Sequence, residues 1–219
     1  MFDYFYHASI RKLVVAFGSL FNEIYISRTE EDGTEIKKIK VPISYGPKEK
    51  FYRKIVELDE NGSRNSVENI LPRIGFEISS MNYDTNRKMN SLNKQFIMRD
   101  EKDKTLSYSY SEVPYTFQFT VHVMSRSIDD GYQIIEQILP NFTPDFTITM
   151  NFTEVDRKVD VPIVISSIST TEDYEGDLQT RRMITHTMTF NAKSFIFGRI
   201  REAGLIREIN LTFQELTGE

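Results

Sequence analysis

The 219-residue sequence predicts an α+β fold of mostly antiparallel strands with about three helices packed on the sheet. Three observations predict it. Segments of period-two alternation, clearest at residues 116–124, outnumber segments of helical period. The helical segments fall between groups of strands and not in regular βα alternation, so a doubly wound parallel sheet is not expected. Hydrophobic residues make up 39% of the chain, with 16 Phe and 11 Tyr beside no Trp, which is enough apolar material for a sizeable core and argues against wholesale disorder. The length suits one domain spanning residues 1–219.

In chain order, Ile10, Leu13, Val14, Phe17, Leu20 and Phe21 make one apolar stripe at helical spacing. Ahead of it stand Phe2, Tyr4, Phe5 and Tyr6. They either cap the core or form an arm that docks on a neighbour, because exposed aromatic clusters are uncommon on monomers. Residues 23–28 and 35–43 read as strands joined across Glu31-Asp32-Gly33-Thr34, whose Asp-Gly pair signals a hairpin. Gly46-Pro47 opens a short helix with Phe51, Ile55 and Leu58 on one face. Residues 69–79 read as a strand, and Pro72 argues for an edge position or a bulge there.

Residues 82–111 are polar and charged and read as long loops, with a short strand at 95–98. In 116–124, Phe117, Phe119, Val121 and Val123 share one face. A helix follows: Ser127 and Asp130 resemble a capping box, Ile128, Tyr132, Ile135 and Leu139 form its stripe, and Pro140 stops it. Residues 145–153 alternate through Phe146, Ile148, Met150 and Phe152. Residues 159–168 form another strand, placed at an edge by Pro162. In 183–190 Ile184, His186, Met188 and Phe190 share a face opposite three threonines, and 205–213 read as a closing strand.

The absence of cysteine excludes a disulfide framework, a thiolate zinc site, an iron–sulfur cluster and a cysteine nucleophile. A net charge of -5 disfavours general nucleic-acid binding. His7, His122 and His186 lie in separate elements, and His186 reads as a satisfied core or interface histidine. Glu30-Glu31-Asp32 and Asp59-Glu60 are turn chemistry, whereas Asp129-Asp130 suit the positive end of a helix dipole. No phosphate loop, nucleophile elbow or zinc helix motif occurs, so no catalytic residue, metal or cofactor is expected. The longest apolar run, residues 13–21, is well short of the ~20 residues a bilayer span needs. Arg11-Lys12 ahead of it imitates a signal peptide, but no small-x-small cleavage site follows. Candidate interface residues are Tyr4, Phe5, Tyr6, Arg11, Arg73, Arg181 and Arg182, since aromatic rings and the planar arginine fork are favoured at specific protein contacts.

An ordered set of segments carries a resemblance. It comprises Met1-Phe2-Asp3-Tyr4-Phe5-Tyr6; Val41-Pro42-Ile43-Ser44-Tyr45 with Lys48, Glu49 and Phe51; and Ile70-Leu71-Pro72-Arg73-Ile74. Tyr132-Gln133-Ile134-Ile135-Glu136-Gln137-Ile138-Leu139-Pro140 follows, then Phe142, Pro144 and Phe146, and finally Arg181-Arg182 and Thr189-Phe190. Over nearly the whole chain this resembles the tail sheath stabiliser, or tail completion (tail terminator) protein, of T4-like contractile-tailed bacteriophages.

The resemblance implies a structural virion protein. It implies a hexameric homo-oligomeric ring at the head-proximal end of the tail, in contact with tail sheath and tail tube and with neck or head-completion proteins. It implies no cofactor, no membrane and no specific nucleic-acid binding, although DNA passes through the ring. Assembly in the host cytoplasm follows from the same likeness. The family pattern continues into a longer, polar, Pro-rich tail, whereas this chain stops soon after Gly204-Leu205-Ile206-Arg207. A head-to-tail adaptor or tube terminator is the neighbouring alternative. A β-rich carbohydrate-active enzyme is the alternative of a different class, and it would need two facing carboxylates in a cleft.

Overall fold

The computed structural model describes residues 4–29, 35–51, 53, 71–100, 105–152, 157–174 and 182–203. The elements with defined bounds are α1 (Ser9–Ser19), β1 (Tyr25–Thr29), β2 (Glu35–Lys40), β3 (Ile43–Tyr45), β4 (Arg73–Tyr83), β5 (Lys94–Asp100), β6 (Thr105–Tyr110) and β7 (Val113–Ser125). They continue with α2 (Ile128–Ile138), β8 (Asp145–Phe152), β9 (Arg157–Tyr174), β10 (Arg182–Ile196) and β11 (Arg201–Ala203). Six strands form one sheet in the order β3-β4-β7-β10-β9-β8, beside a β1-β2 hairpin and a three-stranded sheet β11-β6-β5. Only β3 and β4 run parallel among these pairs, so the fold is α+β and mostly antiparallel, as the sequence predicts.

The alternation in β7 determines where the core lies. Phe117, Phe119, Val121 and Val123 are all buried on one face, opposite Phe190, Met188 and His186 of β10. Helix α1 lies over this face with Leu13 and Phe17 inward. The Phe17 ring stacks on Phe119 with centroids 4.1 Å apart, and Phe21, Phe76 and Phe190 surround it. The Lys12 ammonium sits 5.5 Å from the Phe152 ring of β8, while Gly18 abuts Phe76 of β4. The helix therefore crosses the sheet from β8 towards β4.

Helix α2 packs on the same face nearer the opposite end of β10. Ser127 caps it by accepting from the Asp129 amide at 3.3 Å. Its buried side is Asp130, Gly131, Ile134, Ile135 and Ile138, rotated from the expected stripe of Ile128, Tyr132, Ile135 and Leu139. Gly131 is the physical reason. A Cβ there would meet the His186 ring, with Cδ2 at 2.7 Å, so only a hydrogen at this position lets the helix settle so closely on β10.

Four other expectations change. The stretch 82–111 is not long loop: β4 runs on to Tyr83, and β5 and β6 form a hairpin that β11 joins. Its pattern is inverted, with Ser107 and Ser109 buried and Phe96 exposed, so polarity concealed the period. Strand β4 is no edge, because β3 and β7 flank it, and Pro72 precedes the strand without occupying it. Strand β9 is internal too, but its pairing with β10 begins at Ile163, so Pro162 stands where β8 alone is the neighbour. Strand β10 continues six residues beyond Phe190 to Ile196. Residues 48–51 and 53 are helical, whereas Ile55, Leu58, the turn 31–34 and the strand expected at 205–213 lie outside the described residues.

Two substitutions test this packing. Phe17→Ala is expected to cost about 3–5 kcal/mol in urea unfolding, the usual penalty for emptying a large aromatic site. Gly131→Ala gains about 1 kcal/mol of helix propensity but loses about 1–3 kcal/mol to overpacking against His186, so net destabilisation is expected in the same assay.

Candidate interaction surface

The candidate residues divide between the two ends of the sheet. Tyr4, Phe5 and Tyr6 lie at the end where β4 and β10 finish and β7 starts. Residues 4–8 are neither helix nor strand, and Ala8 takes a left-handed conformation (φ 53°) that turns the chain away from α1. The His7 Nε2 lies 2.9 Å from the Gly198 carbonyl, and the Phe5 ring leans on His7. Beyond that anchor the side chains are open: Tyr4 is 93%, Phe5 47% and Tyr6 65% exposed. Tyr4 and Tyr6 therefore do not cap the core. Arg11 is exposed in the first turn of α1 at this end.

Residues not singled out in the sequence join the arm there. Met81 and Tyr83 end β4, Met89 and Leu92 follow, Phe96 lies on β5 and Val113 begins β7; all are exposed. Their signal is apolar spacing inside an otherwise polar stretch, which the loop reading passed over. The end is held rigidly. Arg87 donates from Nε to Asp84 at 2.7 Å and from a terminal nitrogen to the Tyr115 carbonyl at 3.2 Å, with its guanidinium 5.0 Å from the Phe195 ring. That hydrogen bond holds Asp84 below its ordinary carboxyl pKa. Glu112 accepts from Arg157 at 2.6 Å and from Gln95 at 3.0 Å, which ties the small sheet to the large one.

Arg73 and Arg182 lie at the other end, so of the candidate arginines described only Arg11 shares an end with the aromatic arm. Arg73 opens β4 half-buried, its guanidinium 5.8 Å from the Phe51 ring and its Nε buried without a hydrogen-bond partner. The backbone of Arg182 pairs with Tyr174; its side chain, and all of Arg181, lie outside the described residues.

The two core histidines also sit towards this end, on opposite sheet faces. His186 is fully buried, with Nδ1 2.8 Å from Thr170 Oγ1 and Nε2 unpartnered against Gly131. His122 Nδ1 lies 3.2 Å from Thr187 Oγ1. Burial lowers both below the ordinary value of 6.5. Lys48 pushes His122 the same way against Glu49, and Glu172 partly opposes the shift at His186. Burial raises neighbouring Glu77 from its usual 4.5, with Glu49 adding to the effect.

A groove of about 610 Å³ runs between β1 and α2. Its wall carries the motif residues Gln133 and Gln137. The Ser27 amide donates to Gln133 Oε1 at 3.0 Å, and Gln133 Nε2 donates to the Ser27 carbonyl at 3.1 Å. Tyr25 makes the same pair with Gln137 at 3.3 and 2.7 Å. Two side-chain amides thus occupy the edge of β1 that β2 leaves open.

The histidines give a pH prediction. A lowered native pKa means that the unfolded chain binds protons more readily just below pH 6.5, so stability falls as pH drops through that value. Unfolding by urea is expected at lower concentration at pH 5.5 than at pH 7.5, and His186→Gln should narrow the gap. A gap unchanged by the substitution would assign the effect to other groups.

Among the described residues no group of three His, Asp or Glu side chains is placed to hold a metal ion, and no helix is long and apolar enough to cross a membrane. The family model described as T4-like virus Myoviridae tail sheath stabiliser matches residues 4–219. The chain is 34% identical over 224 aligned positions to Tail completion protein gp15 of Enterobacteria phage T4, covering 99% of this chain and 81% of that protein. The match takes in the arm, both ends of the sheet and the glutamine helix alike, and the chain belongs to the T4-like tail sheath stabiliser family, as a structural component of the phage virion tail.

Proposed function

We propose that the protein acts as one tail-terminator unit over residues 1–219, assembling as a six-membered ring at the head-proximal end of a contractile tail. There it caps tube and sheath and joins them to the neck. It works by adhesion and not by catalysis. The observation that carries this reading is the placement of exposed apolar side chains. Of fourteen large hydrophobics exposed among the described residues, ten gather at the arm end of the sheet. Isolated apolar residues are normal on a surface, but so many at one end of the sheet support an interaction site there. A chain excess of negative charge suits a ring that must release DNA.

Electron cryo-microscopy of assembled tails tests the placement. A sixfold ring above the last sheath layer is expected; density elsewhere on the particle would end the proposal. A position on the tube alone would favour a tube terminator, and one between neck and portal an adaptor. Tyr4→Ala with Tyr6→Ala is expected to lower the fraction of tails that retain the protein, scored on gradient-purified tails. Arg73→Ala is expected to weaken tail retention to a smaller degree, because its side chain is partly buried with the guanidinium over the Phe51 ring.

A further inference from the structure

The apolar end carries a charge of definite sign. Arg11, Lys88, Lys94, Lys158, Lys193 and Arg201 are all exposed around it. Of the acidic side chains described there, Asp84 and Glu112 are engaged by Arg87 and Arg157, which leaves Asp160 and Glu202 exposed against those six cations. Among the described side chains this end therefore carries more positive than negative charge, although the whole chain carries -5. Two such ends would repel one another, and a contact between identical patches is disfavoured.

A second surface has the complementary character. On α2, Asp129, Tyr132 and Glu136 share one exposed face at helical spacing, and Tyr132 is 49% exposed with its ring 5.7 Å from His186. Beside it on β9 stand Ile168, 42% exposed, and Glu172, on the sheet face that carries His186. Pairing of β8 with β9 stops at Val164, so among the described strands β9 has β10 as its only neighbour from Ile165 to Tyr174. Arg28 pairs with Asp130 at 3.6 Å. The exposed carboxylates of Asp129, Glu136 and Glu172 outnumber Arg126, exposed just ahead of α2, so the flank is acidic on balance. It has apolar side chains at its centre and lies away from the arm end.

We infer that the basic aromatic end of one copy docks on the acidic α2–β9 flank of the next copy. The contact is head-to-tail, joining two different patches, and such a contact closes a ring when its rotation closes. The inference rests on the ring reading above and adds to it the two surfaces that meet. Tyr4 and Tyr6 supply apolar anchors, Lys88 and Lys94 face Asp129 and Glu136, and opposite charge sets the register. Such a contact weakens with salt, because exposed pairs are screened over a Debye length of ~10 Å at 0.1 M.

The lack of native cysteine makes the test clean. Chains carrying both Tyr6→Cys and Ile168→Cys are assembled onto tails and treated with a short bismaleimide crosslinker. A ladder of covalent multimers ending at the ring number is expected, with each single-cysteine variant giving no ladder. Tails that hold the protein at the head-proximal end without any ladder would overturn the contact while leaving the ring reading intact. Loss of the ring itself in wild-type tails would instead strike the ring reading.

Charge exchange provides a second route. Lys88→Glu with Lys94→Glu is expected to weaken self-association at least about tenfold, and adding Asp129→Lys with Glu136→Lys to restore it. Circular dichroism verifies folding of each variant. Rings that persist unchanged through the reversal, or rings that persist while tail attachment is lost, would assign this end to another protein and overturn the proposal.

Discussion

The face-to-face stack of Phe17 on Phe119 is the contact on which the arrangement depends. Both rings are fully buried, and each contributes about 1.5–3 kcal/mol of transfer free energy by leaving water. The stack also fixes position. With Phe17 held over β7 and Gly18 against Phe76, α1 has one diagonal path across the sheet. Its first turn must then lie by Phe152, and the left-handed Ala8 directs the preceding residues outward. An aromatic arm that is itself unburied thereby inherits a defined location from a core contact.

The sheet also keeps its two ends chemically distinct. At one end Arg87, Asp84, Glu112 and Arg157 hold loops and sheets together, and the apolar side chains they support remain open. At the other, α2 and the helical residues after Pro47 cover both faces, and the two buried histidines turn to threonines on neighbouring strands: His122 to Thr187 and His186 to Thr170. Family membership as a tail protein agrees with a molecule that leaves apolar and aromatic side chains open at one end.

Much of this was legible in the sequence because strict alternation leaves few choices. The strands at β7, β8 and β10 announce themselves through Phe117 to Val123, Phe146 to Phe152 and Ile184 to Phe190, where one face is apolar throughout. The small sheet was not legible, because Ser107 and Ser109 are the buried members and Tyr108 the more exposed one. The rotation of α2 was hidden for a related reason: its side is chosen by Gly131, which has no side chain for a periodicity to detect. The arm was visible as an aromatic cluster, but its companions Met81, Leu92 and Phe96 are brought near it only by long-range pairing. Arg73 stands in the sequence between Pro72 and the apolar Ile74, and only the fold brings its guanidinium over Phe51.

The paired amides of Gln133 and Gln137 carry a consequence for solubility. Spaced one helical turn apart, they reproduce two rungs of a neighbouring chain along Tyr25 and Ser27. An unoccupied rim of this kind is a template for fibre growth. Here the template is already filled from within the same molecule, by groups too short to propagate the ladder further. Asparagine has the same amide but lacks one methylene, and would retract it by about 1.5 Å, roughly one carbon–carbon bond. The length of a single side chain thus separates a sealed margin from one that invites stacking of one molecule on another.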